Sequence, residues 1–233
     1  MNQDTRTLQA PYGIGSIASA GERNRVLRNT YWLLALSMVP TVLGAWIGVS
    51  TGLASAMGPG MFMIVFLGGY FGFMFAIGKT MNSAAGVPVL LGFTFFMGLM
   101  LSRLIGAVLG LANGAGLIMT AFTGTGLVFL GMATMSTVIK RDLSTLGKWL
   151  SIGAIMLFVA LLANYFIQSG PLMVTLSVLV IGIFSAFILY ELRRVKDGEE
   201  TNYISATLMV YVSLFNVFQA MLSILGIFGG SRD

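Results

Sequence analysis

Seven long apolar blocks succeed one another along the chain, at 31–53, 61–77, 87–111, 116–139, 149–167, 172–190 and 203–228. About 20 apolar residues at a rise of 1.5 Å cross the hydrocarbon layer of a bilayer, so the blocks predict seven membrane helices joined by short links. The last block also carries a polar face. Its Ser213, Asn216 and Ser223 recur at helical spacing, with Ala220 completing the row and Gln219 beside it. Acyl chains leave such groups without partners, so that face is expected to meet other helices or a water-filled cavity. It serves packing in the first case and a conduction path in the second.

The links refine this picture. Residues 191–200 hold seven of the chain's 21 charged side chains, and that segment is expected in water just before the last span. Tyr31 and Trp32 open the first span and Trp149 the fifth, as interfacial aromatics do, and Pro40 marks a place for a kink. Glycines four apart, Gly48 and Gly52, Gly68 and Gly72, Gly106 and Gly110, let backbones approach closely, within one bundle or between copies of the chain.

Composition turns the pattern into a class. Of 233 residues 57% are hydrophobic and 9% charged, with mean hydropathy +0.90, whereas soluble domains carry about 25% charge. The expected organisation is a polar tail at 1–30, one membrane domain at 31–228 and a short end at 229–233. The tail has no apolar core of the kind a cleaved signal peptide needs, and its Arg-rich end, with Arg23, Arg25 and Arg28, leads into the first span.

Cysteine and histidine are both absent. Disulfides, thiolate or imidazole zinc sites and Cys–His or Ser–His nucleophilic chemistry are therefore excluded. An aspartyl intramembrane protease needs two facing acids within spans, and the spans lack that pair. Gly124-Thr125-Gly126 lies in a span with no Lys to meet a phosphate. The expectation is a protein with no enzymatic activity and no resident cofactor. Its net charge of +5 comes from cations beside the spans, which points to membrane orientation and away from nucleic acid.

Four places remain for chemistry. Arg103 is the one formal charge deep in a span, and it either snorkels to the non-cytoplasmic headgroups or serves an ion path. Glu191 stands where the sixth span meets water. Packed against the seventh span it would sense protons; facing Arg194 or Lys196 it would be an interfacial ion pair. Asp142, beside Lys140 and Arg141, is a loop charge, a helix cap or a partner contact. Ser213 and Asn216 face whatever the polar stripe lines.

The stretches RVLRNTYWLLALS, LSRLIG, KRDLSTLG and above all GEETNYISATLMVYVSLFNVFQAMLSILG resemble the Bax inhibitor 1 (TMBIM) family, and most of all its bacterial YccA-like branch. The resemblance covers the chain from Arg25 to Gly226 and implies an all-α fold in which six helices surround a central seventh. It also implies two functions. The first is modulation of the membrane-anchored ATP-dependent protease FtsH in the bacterial inner membrane, with the 1–30 tail as a tether or a competing substrate. The second is a pH-sensitive calcium or cation leak governed by an acid pair on the last two helices, with calcium as the transported ion. The positions that match that pair are Glu191 and Ser213, so a single carboxylate stands where the family pattern has two, and Arg103 replaces a usual proline.

Cation placement predicts the orientation. Eleven of the 13 Lys and Arg residues fall on the tail and the second, fourth and sixth links, and none on the first, third or fifth. The N-terminus is therefore expected in the cytoplasm and the C-terminus on the periplasmic side. A C-terminal reporter active only in the cytoplasm should stay silent, and its activity would overturn the count of seven spans.

Overall fold

The computed structural model describes residues 20–139 and 144–230, all of them helix or short link. In chain order the helices are α1 (Ala20–Thr51), the single turn α2 (Leu53–Ala56), α3 (Pro59–Thr80), α4 (Gly86–Leu109), α5 (Gly114–Val138), α6 (Ser144–Ile167), α7 (Gly170–Asp197) and α8 (Tyr203–Gly230). Seven of these are long and apolar enough to cross a membrane. α1 starts well before its apolar block and runs on through Pro40, so the Arg-rich approach is itself helical.

Local chemistry sets the ends. Pro59 opens α3, where its missing N–H costs nothing, and the Ser169 hydroxyl accepts the Leu172 N–H at the start of α7. α7 ends at Gly198, whose φ of 82° is the left-handed conformation that closes a helix on its own last carbonyls. The Asn202 side chain then accepts the Ile204 and Ser205 N–H groups to start α8.

α8 is the pillar of the bundle. More than half of its apolar window is buried, 56%, against 6% for α3. It packs directly on α7, α5, α1 and α4, while α3 leans chiefly on α4 and α6 on α7. At its centre Tyr211 is buried, with its hydroxyl 2.8 Å from the Thr41 hydroxyl of α1 and its ring edge-on to Phe93 of α4. Leu90, Met97, Ile188, Leu192, Ile204 and Val210 fill the same core.

α1 and α4 approach most closely, and three glycines permit it. A Cβ at Gly44 would strike the Phe95 carbonyl, one at Gly98 the Thr41 carbonyl, and one at Gly48 the Ser102 hydroxyl. Of the pairs expected from spacing, Gly48 does pack closely, but Gly68, Gly72 and Gly106 face open space and Gly52 forms a left-handed turn. The close approach sits one turn earlier, at Gly44 and Gly48. Because the clash at Gly98 is with backbone, Gly98→Leu is expected to cost on the order of 2 kcal/mol. Thermal unfolding in detergent should show it as a clear drop that Gly72→Leu does not produce.

Candidate functional site

A cluster of charged and polar residues gathers where α7 ends and α8 begins. Glu191 shares the inward face of α7 with Ile188, Leu192 and Val195, and only 2% of it is exposed. This corrects the expectation that residues 191–200 lie wholly in water. A buried carboxylate is costly unless paired. Arg194, one turn further on, supplies the pair: its Nη1 donates to Glu191 Oε2 at 3.1 Å, and its Nε lies 3.7 Å from Glu199 Oε2. Glu191 is thus both buried against the core and paired with Arg194.

Lys196 is not its partner. The Lys196 ammonium donates to the Thr137 carbonyl at 2.9 Å and Arg193 Nη1 to the Ser136 carbonyl at 3.4 Å, so two cations of α7 satisfy the last carbonyls of α5. Arg193 is held in place by Asp197 at 2.6 Å. Arg23 of α1 donates to the Lys196 carbonyl at 3.5 Å. Asn202 donates to the Met81 carbonyl at 3.0 Å and to Asn82 at 2.8 Å, while Glu200 accepts the Ser205 hydroxyl at 2.9 Å. One hairpin therefore holds the ends of α1 and α5 and the α3–α4 link. Sequence reasoning missed Arg193, Lys196 and Asn202 in this role; the signal was cations in the last turn of a helix and an Asn before an apolar run.

The remaining residues are scattered. Ser213 is buried and donates to the Met209 carbonyl at 2.9 Å, and Asn216, half-buried, donates to the Val212 carbonyl at 2.8 Å. No hydrogen bond joins either to Glu191, and the matched positions Glu191 and Ser213 form no coupled pair. The polar stripe divides: Ser213, Ala220 and Ser223 are buried, whereas Gln219 is exposed. Arg103 lies half-buried near the end of α4, its guanidinium 5.0 Å above the Phe62 ring of α3 and its Nη1 without a hydrogen-bond partner. Phe62 stands at the start of α3, so Arg103 lies toward the end of the bundle opposite Glu191. Arg25 and Arg28 are exposed on α1. Asp142 lies outside the described residues.

Chemically the site is a clamp. Among the described residues Glu191 is the only buried acid, and no three acid side chains converge on a point that could hold a metal ion.

A family model described as Inhibitor of apoptosis-promoting Bax1 matches residues 23–230. An Escherichia coli K12 protein named Modulator of FtsH protease YccA is 37% identical, covering 90% of this chain and 92% of its own. The Inner membrane protein YccA of another E. coli strain matches equally well. An uncharacterized protein of Pseudomonas aeruginosa is 36% identical over 92% of this chain and 95% of its own. With the family match running from the first turn of α1 to the end of α8, over seven helices fit to cross a bilayer, this chain belongs to the Bax inhibitor 1 family of multi-span membrane proteins.

Proposed function

We propose that the chain binds a membrane-anchored ATP-dependent protease of the FtsH type in the bacterial inner membrane and restrains it, with no catalysis of its own. The observation that carries this is the likeness, along nearly the whole of both chains, to a protein named as a modulator of that protease. The geometry agrees with a binding role. The buried Glu191 of the clamp is engaged within the chain, and the exposed cations Arg25 and Arg28 stand on the first turns of α1, which this reading puts in the cytoplasm to meet an acidic partner surface. A calcium leak has less to work with. Calcium takes roughly six to eight oxygen ligands, and the one buried acid among the described residues is already held by Arg194.

Two measurements test the reading. Tagged protein should co-purify with the protease, and overexpression should slow turnover of a membrane substrate of that protease. Unchanged degradation on both deletion and overexpression would overturn the proposal. Removing residues 1–19, or making Arg25→Ala with Arg28→Ala, is expected to weaken the restraint several-fold while leaving the bundle's unfolding temperature unchanged.

A further inference from the structure

The pillar helix has one uncovered side. Between Tyr203 and Gly226 only Met209 and Gln219 are exposed, and with the half-buried Val212 and Asn216 they form a single stripe at three- and four-residue spacing. The flanking faces are covered. On one side Tyr211 and Phe215 pack in the core with Phe93, against which Tyr70 and Phe73 of α3 also rest. On the other, Ala220 packs with Leu157 of α6. α3 and α6 meet near their non-cytoplasmic ends, where the Tyr165 hydroxyl donates to the Pro59 carbonyl at 2.6 Å. The stripe therefore opens between α3 and α6.

Asn216 lies roughly 20 Å from either end of α8 and Gln219 roughly 24 Å from one end and roughly 17 Å from the other, out of reach of headgroups and bulk water. Asn216 engages one N–H within its own helix, and Gln219 makes no hydrogen bond among the described residues. Acyl chains offer neither donor nor acceptor. A water column needs polar lining along its length, but here Met209 and Val212 continue the stripe toward the cytoplasm and the α3–α6 contact stands at the other end. A second helix crossing the membrane, carrying one amide or hydroxyl at mid-height, satisfies both amides and covers the apolar positions.

We propose that the Met209–Val212–Asn216–Gln219 face is a docking surface for a transmembrane helix of a partner protein with a hydrogen-bonding side chain near the bilayer midplane. This deepens the protease-binding reading by giving the partner a seat within the membrane, and it is tested without the protease, so either can fail alone.

The chain has no cysteine, which allows a donor dye on Lys148→Cys, exposed at the cytoplasmic start of α6. In lipid vesicles, energy transfer is measured to acceptor-labelled Leu-rich transmembrane peptides, one with a central Asn and one all-Leu. The Asn peptide should bind about three- to tenfold more tightly than the all-Leu peptide, the range of one interhelical hydrogen bond. Gln219→Leu should abolish that difference and Gln219→Asn should keep it, with unfolding temperatures confirming that both variants fold. Equal affinities for the two peptides, or a difference that survives Gln219→Leu, would overturn the proposal. So would labelling of Gln219→Cys by a membrane-impermeant thiol reagent, which would show an aqueous crevice. Pairing of the chain with itself through Gln219 at the peptide's expense would also overturn it, assigning the face to a second copy.

Discussion

A bilayer interior offers no hydrogen-bond partners, and nearly every polar feature of this protein answers to that constraint. Hydroxyls within the spans turn back to their own helices: Thr30 to the Val26 carbonyl, Ser37 to Leu33, Thr125 to Ala121 and Ser213 to Met209. Such bonds let a helix carry Ser and Thr into the core without seeking a neighbour. Where hydroxyls do reach across, as Tyr211 does to Thr41, they tie α8 to the α1–α4 pair, whose backbones glycine has already brought together. With α8 in the middle, its Thr207, Ser213 and Ser223 are buried.

At the end of the bundle where α7 passes into α8 the same constraint is met by charge. Helix C-termini leave carbonyls unpaired, and α7 supplies Arg193 and Lys196 to those of α5 while receiving Arg23 from α1. The cations from which an orientation was expected therefore also join helix ends. Glu191 is tolerated in the core because Arg194 follows it by one turn. A pair of this kind is weak evidence for stability; with both partners on α7, its effect here is to neutralise the buried carboxylate.

Much of this was legible in the sequence, because the seven blocks are long and the link residues are strong. The blocks locate all seven spans, and the Ser/Asn row singles out α8. Three things were not legible. Glu191 sits in a dense charge cluster, which suggests water, yet its helical spacing from Ile188, Leu192 and Val195 places it inward; local charge density and periodicity gave opposite answers, and packing decided for periodicity. Glycine spacing alone could not say which pair meets a neighbour, since Gly68 and Gly72 have the same four-residue spacing as Gly44 and Gly48 but face open space. The polar face of α8 was expected to meet other helices or a water-filled cavity, but α3 packs chiefly on α4 and α6 on α7, and Gln219, beside the row, is left exposed. That asymmetry depends on how six helices share the circumference of one, which no single segment encodes.

The fold depends most on α8 being enclosed on all faces but one. Single spin labels placed along residues 204–222, read by collision with oxygen dissolved in lipid and with a water-soluble relaxant, measure this directly. At Ile204, Tyr211 and Leu222 both collision rates should be low, and at Met209 and Gln219 the oxygen rate alone should rise. A high oxygen rate at Tyr211 with a low one at Gln219 would place the opposite face toward lipid and contradict the structure described here.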